Sequence, residues 1–212
     1  MKNIGKFIIT ALVALTCGGV CMACYSSKDL KESKKNVSVI RNMGYFSQIQ
    51  INGSADIQFI QGSNARTPIR IVGSKSLVDN VVLERNGDVL VVKNKPNSGK
   101  FFYTESDNLT IYITSTDLTG VNINGSGTFT AKSDIDTDNL NVLIKGSGDA
   151  FFRNILCDKV AFETRGSGDI KALSIDTRSA KIDIYGSGDI DVKTIKADNT
   201  DMQVRGSGDI DA

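Results

Sequence analysis

Carboxylates at a fixed interval are the groups in this chain best spaced to do chemistry. Asp149, Asp169, Asp189 and Asp209 follow one another every 20 residues, each directly after a Gly-Ser-Gly triplet. Asp191 and Asp211 stand two positions beyond the last two of them, and strand alternation puts positions two apart on one face. Asp189, Asp191, Asp209 and Asp211 are therefore candidate ligands for calcium, which favours clustered oxygens. A pair such as Asp189 and Asp191 is also the residue type that acid and base catalysis at a glycosidic bond requires. A structural reading competes with both and is the one adopted. Asp in a turn accepts hydrogen bonds from turn N–H groups. The residues before each glycine, Lys145, Arg165, Tyr185 and Arg205, are mostly cations that can neutralise the column. Some relief is needed, because unit charges one rung apart repel by roughly 0.9 kcal/mol in water.

Two further groups have a chemical and a bland reading. Ser147 and its equivalents sit in Gly-Ser-Gly, part of a nucleophile elbow, but that motif needs a strand-to-helix turn and a His partner. The chain contains no His, which removes the commonest general base and metal ligand. These serines are read as corner residues, and the protein as no enzyme, with no cofactor and no resident metal. Cys157 falls where neighbouring copies carry Thr177 and Ala197. It is read as a small buried ladder residue, a reactive thiol being the alternative.

The recurrence that spaces these side chains also dictates the elements that hold them. Gly125, Gly146, Gly166, Gly186 and Gly206 open successive copies at spacings of 21, 20, 20 and 20 residues, with Gly127, Gly148, Gly168, Gly188 and Gly208 two places on. A fixed period of this length is the signature of a solenoid. Counting from each first glycine, apolar or small residues recur at offsets 4 and 6, at 9, and at 14, 16 and 18. Ile170 and Ala172, Ile175, then Ala180, Ile182 and Ile184 are one such set. Alternation by two is the strand period, and no helical stripe persists. Gly-Ser-Gly is then the corner, where glycine tolerates positive φ and close backbone approach. Twenty residues trace about 66 Å of strand, one turn of a β-helix rather than a hairpin. The expected fold is all-β: a right-handed parallel β-solenoid with coils of about 20 residues, the hand following the crossover rule.

Upstream the pattern loosens. Gly53-Ser54-Ala55-Asp56 is a degraded copy of the corner, followed by Ile57 and Phe59 in the same rhythm. Ser74 to Asn80 suits a short helical turn capped by Ser74. Arg85-Asn86-Gly87-Asp88 between alternating apolar runs predicts a hairpin, and Pro96-Asn97-Ser98-Gly99 a loop. Phe101, Phe102 and Tyr103 form an aromatic cluster, read as core or cap packing or else as an exposed contact patch. Residues 37–212 make one β-helix domain, irregular over 37–124 and regular over 125–212.

The start of the chain reads as an address. Lys2 and Lys6 precede the apolar run Phe7 to Ala14, and small residues continue to Ala23, the layout of a secretory signal. It resembles a bacterial lipoprotein signal with Cys21-Met22-Ala23-Cys24 as the lipobox. Cys24 is then the lipidated residue, 1–23 the signal peptide and 24–36 a polar tether. Cleavage by the ordinary signal peptidase, or an uncleaved short anchor, are the alternatives. The balance of 25 Lys and Arg against 24 Asp and Glu argues against nucleic acid as a partner.

The lipoprotein leader, the Asn86-Gly87 hairpin and the Gly-Ser-Gly-Asp coils together resemble the head GIN domain family, auto-transporter adhesin-like proteins of Bacteroidota, over roughly Val37 to Ala212. The resemblance implies a β-helix in the cell envelope of a Gram-negative bacterium, lipid-anchored at the outer membrane or its periplasmic face, and carries no catalytic motif across. The expected function is a non-catalytic adhesin-like or scaffold interaction module, held to the membrane by its lipid and touching a protein or glycan partner. The alternative is a glycan-binding or glycan-processing β-helix, whose mark is a groove lined with aromatics and acids. The sequence reaches Asp211-Ala212 partway through a coil, and a bare coil offers unpaired backbone groups. Either the chain is shortened or another chain covers this end, as in a homo-oligomer.

Overall fold

The computed structural model of the 212-residue chain describes residues 36–64, 68–96 and 109–212. The expected signal peptide, Cys24, most of the tether, the Asn97-Ser98-Gly99 part of the loop, and Phe101 to Tyr103 lie outside the described residues.

The fold is a β-solenoid of about 5 turns with coils of about 20 residues, preceded by a mixed sheet. The regular coils are β8 (Gly120–Gly125), β9 (Thr128–Ala131), β10 (Ile135–Gly146), β11 (Asp149–Gly166), β12 (Ile170–Gly186), β13 (Ile190–Val192), β14 (Ile195–Gly206) and β15 (Ile210–Asp211). All pair in parallel, in a register of one repeat: Ile155 lies beside Ile175 and Ile175 beside Ile195, Phe162 beside Ile182 and Ile182 beside Met202. Equivalent side chains therefore stack, because each copy presents the same residue type at the same point of its path.

Each coil has three walls, visible in the burial of β11. Ala150 and Phe152 are buried, then Ile155 and Cys157, then Val160, Phe162 and Thr164. Between the runs, two consecutive exposed residues, Arg153-Asn154 and Asp158-Lys159, break the alternation. One extra residue at each break keeps the following odd or even set pointing inward, so the strand turns a corner without losing its ladder. The third corner is Gly-Ser-Gly.

Size complementarity fills the interior. Phe59 pairs with Ala131, Phe129 with Ala150 and Phe152 with Ala172, so each of these three rings has an alanine on one adjoining rung. The rings make diagonal contacts, with centroids 5.8 Å apart for Phe59 and Phe129 and 5.6 Å for Phe129 and Phe152. Isoleucine ladders complete a dry core in which Ile123, Ile144, Ile170, Ile182 and Ile190 are wholly buried.

The degraded upstream corner is the first rung. β2 (Gln48–Gly53) and β3 (Asp56–Gln61) join the parallel ladders directly, Gly53 beside Gly125 and Ile57 beside Phe129. The 72 residues between Gly53 and Gly125 hold an excursion in addition to the rung itself. Within it, β4 (Ile69–Ser74) pairs antiparallel with β1 (Asn36–Arg41) and with β7 (Thr110–Ser115). β5 (Val81–Asn86) and β6 (Val89–Asn94) form the expected hairpin around Gly87-Asp88, with Gly87 at φ 61. The short helix α1 (Lys75–Asn80) follows Ser74 as anticipated and buries Leu77 and Val78. Ser74 makes no capping bond to the helix; its hydroxyl lies 3.2 Å from that of Ser76 instead.

Candidate functional site

At the recurring corner both glycines leave no room for a Cβ, and the first also has a positive φ. Gly166 has φ +144, a backbone that side chains disfavour. Gly168 does not, but a Cβ there would collide with the Gly148 carbonyl oxygen and lie 2.8 Å from the Ile144 Cγ2. In the other copies Gly125, Gly146, Gly186 and Gly206 combine a positive φ with a carbonyl of the neighbouring rung where a Cβ would go, and Gly127, Gly148, Gly188 and Gly208 have the backbone contact without the positive φ. Ser147, Ser167, Ser187 and Ser207 use their backbone N–H groups to hold the rung below, as in Ser167 N–H to Gly146 C=O at 2.8 Å, and turn their side chains to solvent.

The aspartate column is a hydrogen-bonded ladder. The Asp169 N–H donates to the Asp149 carboxylate at 3.0 Å, Asp189 N–H to Asp169 at 2.9 Å and Asp209 N–H to Asp189 at 2.9 Å. Each carboxylate thus satisfies a backbone donor of the next rung, not of its own turn, and the favourable contact offsets the repulsion along the column. The cations before the glycines do not supply the relief expected of them. Arg165 pairs with Glu163, and Arg205 donates to the Tyr185 hydroxyl at 2.9 Å with its guanidinium 5.1 Å from that ring. They form a column of their own, because side chains on opposite sides of a Gly-Ser-Gly corner point apart. Of the aspartates in the column, Asp169 has an ion pair, with Lys171 at 3.7 Å.

The candidate calcium ligands are not brought together. Among the described residues, no group of three or more His, Cys, Asp or Glu side chains is placed to hold a metal ion. Asp189 faces along the corner ladder, whereas Asp191 lies beside Lys171 and Lys193 on the adjoining wall. Both residues follow the Gly186-Ser187-Gly188 corner, and at the equivalent positions one rung earlier the outward pair is Asp169 with Lys171 at 3.7 Å, a carboxylate beside a cation. Cys157 is buried, and its Sγ lies 3.5 Å from the Thr177 hydroxyl on the next rung. Burial is the main cause that pushes its thiol above the ordinary range, with the Thr177 hydrogen bond acting the other way and the charge of Asp158 adding to the rise. The group stays a neutral thiol, a poor nucleophile.

The outer surface of the first wall carries the most distinctive arrangement. Thr130, Phe151, Lys171 and Asp191 form one outward column, each beside its neighbour in the ladder. Two residues further along run Lys132, Arg153, Leu173 and Lys193. The columns enclose an open cavity of about 380 Å³. Phe151 is half-buried, and Leu173 keeps 44% of its surface exposed. The lining holds four cations and a single carboxylate. Arg153 reaches Asp134 at 3.7 Å and Lys171 reaches Asp169 at 3.7 Å, while Lys132 and Lys193 have no ion pair among the described residues. On the same side, β7 adds Tyr112 with the Arg70 guanidinium 4.1 Å above its ring.

The third wall differs. A cavity of about 360 Å³ there is lined by Gln48, Gln50, Asn122, Asn139 and Asn141 with Val89 and Leu143. The amides bond one another, Gln50 to Asn52 at 3.0 Å and Asn124 to Asn52 at 2.9 Å, and the Asn122 Oδ1 is buried without a partner.

Neither cavity was anticipated, since a groove of aromatics and acids was the feature sought. Reading offset 7 down the copies, Lys132, Arg153, Leu173 and Lys193, contains the signal. The first wall has an aromatic but cations in place of acids, so it lacks the pair of facing carboxylates that glycoside cleavage requires.

Comparison with known proteins agrees with this architecture. The family described as "Putative auto-transporter adhesin, head GIN domain" matches residues 45–212. No curated protein matches the chain. A crystal structure described as a putative adhesin from Parabacteroides distasonis is similar at a TM-score of 0.74 and 21% identity, covering 85% of this chain and 74% of that one. A second, from Bacteroides fragilis and described in the same terms, gives 0.57 at 18% identity over 85% and 98%. A third, described as a putative lipid binding protein from P. distasonis, gives 0.53 at 20% identity over 83% and 96%. At these identities the structures speak for the fold alone.

Proposed function

The chain belongs to the head GIN domain family of adhesin-like proteins, and from that premise we propose that it is a non-catalytic interaction module of the cell envelope. The observation that carries the reading is the first wall: outward Phe151 and Leu173 among four cations, on a surface whose backbone is paired along Thr130, Phe151, Lys171 and Asp191. A sheet of stacked rungs holds such side chains without further ordering, which lowers the entropic cost of contact. In this reading residues 1–23 direct export, Cys24 carries the lipid and residues 24–36 space the solenoid from the membrane.

Two measurements test it. Labelling with palmitate should mark the wild-type chain and not Cys24→Ala; equal labelling, or none in the wild type, contradicts the anchor. Beads coated with the protein should adhere to at least one of three films, an acidic polysaccharide, a neutral polysaccharide or a protein, and lose adhesion with Phe151→Ser. Failure on all three, or adhesion indifferent to the substitution, contradicts the module.

The outer edge of β14 supports a second element of the proposal, pairing with another copy of the chain. β14 pairs β12 on one side and no described strand on the other. Met202 and Val204 are 42% and 43% exposed where their neighbours Ile182 and Ile184 are wholly buried. Unpaired strand edges with apolar neighbours are templates for association. Sedimentation at high micromolar concentration should show dimers that Val204→Lys disperses; a strictly monomeric wild type contradicts it.

A further inference from the structure

We propose that the first-wall cavity is a binding site for acidic polysaccharide, with carboxylated sugar residues held between Lys132, Arg153, Lys171 and Lys193 and a sugar ring laid on Phe151. The inference rests on reading the protein as an interaction module and names the partner of that wall.

Charge is the first argument. The chain as a whole is balanced, 25 cations to 24 anions, yet this cavity gathers four cations around one carboxylate. The two existing ion pairs, at 3.7 Å, are solvated and therefore weakly held, and Lys132 and Lys193 have none among the described residues. Anionic groups entering the cavity meet donors that give up little.

Shape and chemistry narrow the ligand further. From the rung of Lys132 to that of Lys193 is three rung spacings, roughly 14 Å, which suits successive charges of a polymer better than a single headgroup. The backbone of β9, β11, β12 and β13 is engaged in the parallel ladders, so a peptide cannot add here as a strand and every contact must come from side chains. Phe151 and Leu173 offer a flat apolar floor, matched by the C–H face of a sugar ring. An open cavity on a sheet face has no slot deep enough for an acyl chain. Ring, floor and spaced cations together specify a carbohydrate that carries carboxylates.

The test is titration of the full-length chain with a short oligogalacturonide, with a neutral malto-oligosaccharide of equal length, and with phosphatidylglycerol vesicles. The wild type should bind the oligogalacturonide in preference to the malto-oligosaccharide, more weakly as salt rises, while any vesicle binding, which the lipid on Cys24 supplies, should be the same in the cavity variants. The double variant Lys132→Gln/Lys193→Gln and the single Phe151→Ser should each lose about tenfold or more in affinity, since charge-assisted contacts and ring burial dominate such sites. Lys159→Gln, away from the cavity, should bind as the wild type does, and matching melting temperatures establish that the variants are folded. No preference for the acidic oligomer over the neutral one, vesicle binding that the cavity variants lose, or oligogalacturonide affinity unchanged in both cavity variants overturns the proposal. If beads still adhere to a neutral or protein film through Phe151, the interaction module stands and only its ligand class falls.

Discussion

Gly168 and Gly87 show why one residue type cannot be given one cost. Gly87 has φ +61 and open space around its missing Cβ, so Gly87→Ala loses only the left-handed preference, about 1 kcal/mol. Gly168 has an ordinary φ but no room, with backbone of the neighbouring rung where a methyl would go. Gly168→Ala must push two rungs apart and should cost about 2 kcal/mol or more, read as a larger fall in melting temperature than Gly87→Ala gives. The aspartate after it makes a second, sharper case. Because the Asp169 carboxylate accepts the Asp189 N–H at 2.9 Å, Asp169→Asn keeps an acceptor, removes a charge from the column and gives up only the weak, solvated pair with Lys171, so stability should change by less than about 0.5 kcal/mol. Asp169→Ala leaves the donor to solvent and should cost about 1 kcal/mol. Equal effects of the two substitutions in a denaturant titration would mean the charge, not the hydrogen bond, is what the corner uses. That Asp follows Gly-Ser-Gly is legible in the letters, but not that its bond crosses to the next rung, since the partner is 20 residues away.

Among the elements, those with a period were readable and those without were not. β10 to β15 follow from alternation and from the spacing of the corners. The hairpin of β5 and β6 follows from Asn86-Gly87-Asp88, where local turn chemistry suffices. The stacking of Gly53 directly on Gly125 was hidden, because 72 residues separate them and the strands β4 to β7 intervene. The clues were the degraded corner Gly53-Ser54-Ala55-Asp56 and the Ile57 and Phe59 that follow it. The first-wall cavity was hidden for a different reason. Its residues occupy equivalent offsets but differ in type from copy to copy, whereas the inward positions repeat. Inward repetition itself has a consequence. Phe152 stands over Ala172 and meets Phe129 at 5.6 Å, so Phe152→Ala leaves two alanines facing across a void. The loss should be about 3 to 4 kcal/mol, against about 1 kcal/mol for Phe152→Leu, measured by chemical unfolding. A smaller loss for the alanine variant than for the leucine would contradict the interlocked packing.

The molecule as a whole is a stack in which each rung owes its stability to the next, and its outer walls inherit their order from that stacking. The proposed polysaccharide site needs this, because its cations come from four successive rungs and have no meaning unless those rungs keep register. The one native thiol of the solenoid supplies a ruler. Cys157 lies beside Thr177 in the ladder, with Sγ and Oγ1 3.5 Å apart, and Ala197 is the next rung on. Adjacent strands are about 4.8 Å apart and a disulfide spans Cα atoms up to about 6.8 Å, so one rung can be bridged and two, about 9.6 Å, cannot. In a chain with Cys17, Cys21 and Cys24 changed to serine, mild oxidation of Thr177→Cys should close a disulfide with Cys157, while Ala197→Cys should leave both thiols free, as read by intact mass. Bridging in the Ala197→Cys chain, or none in the Thr177→Cys chain, would mean that the copies are not stacked in this order.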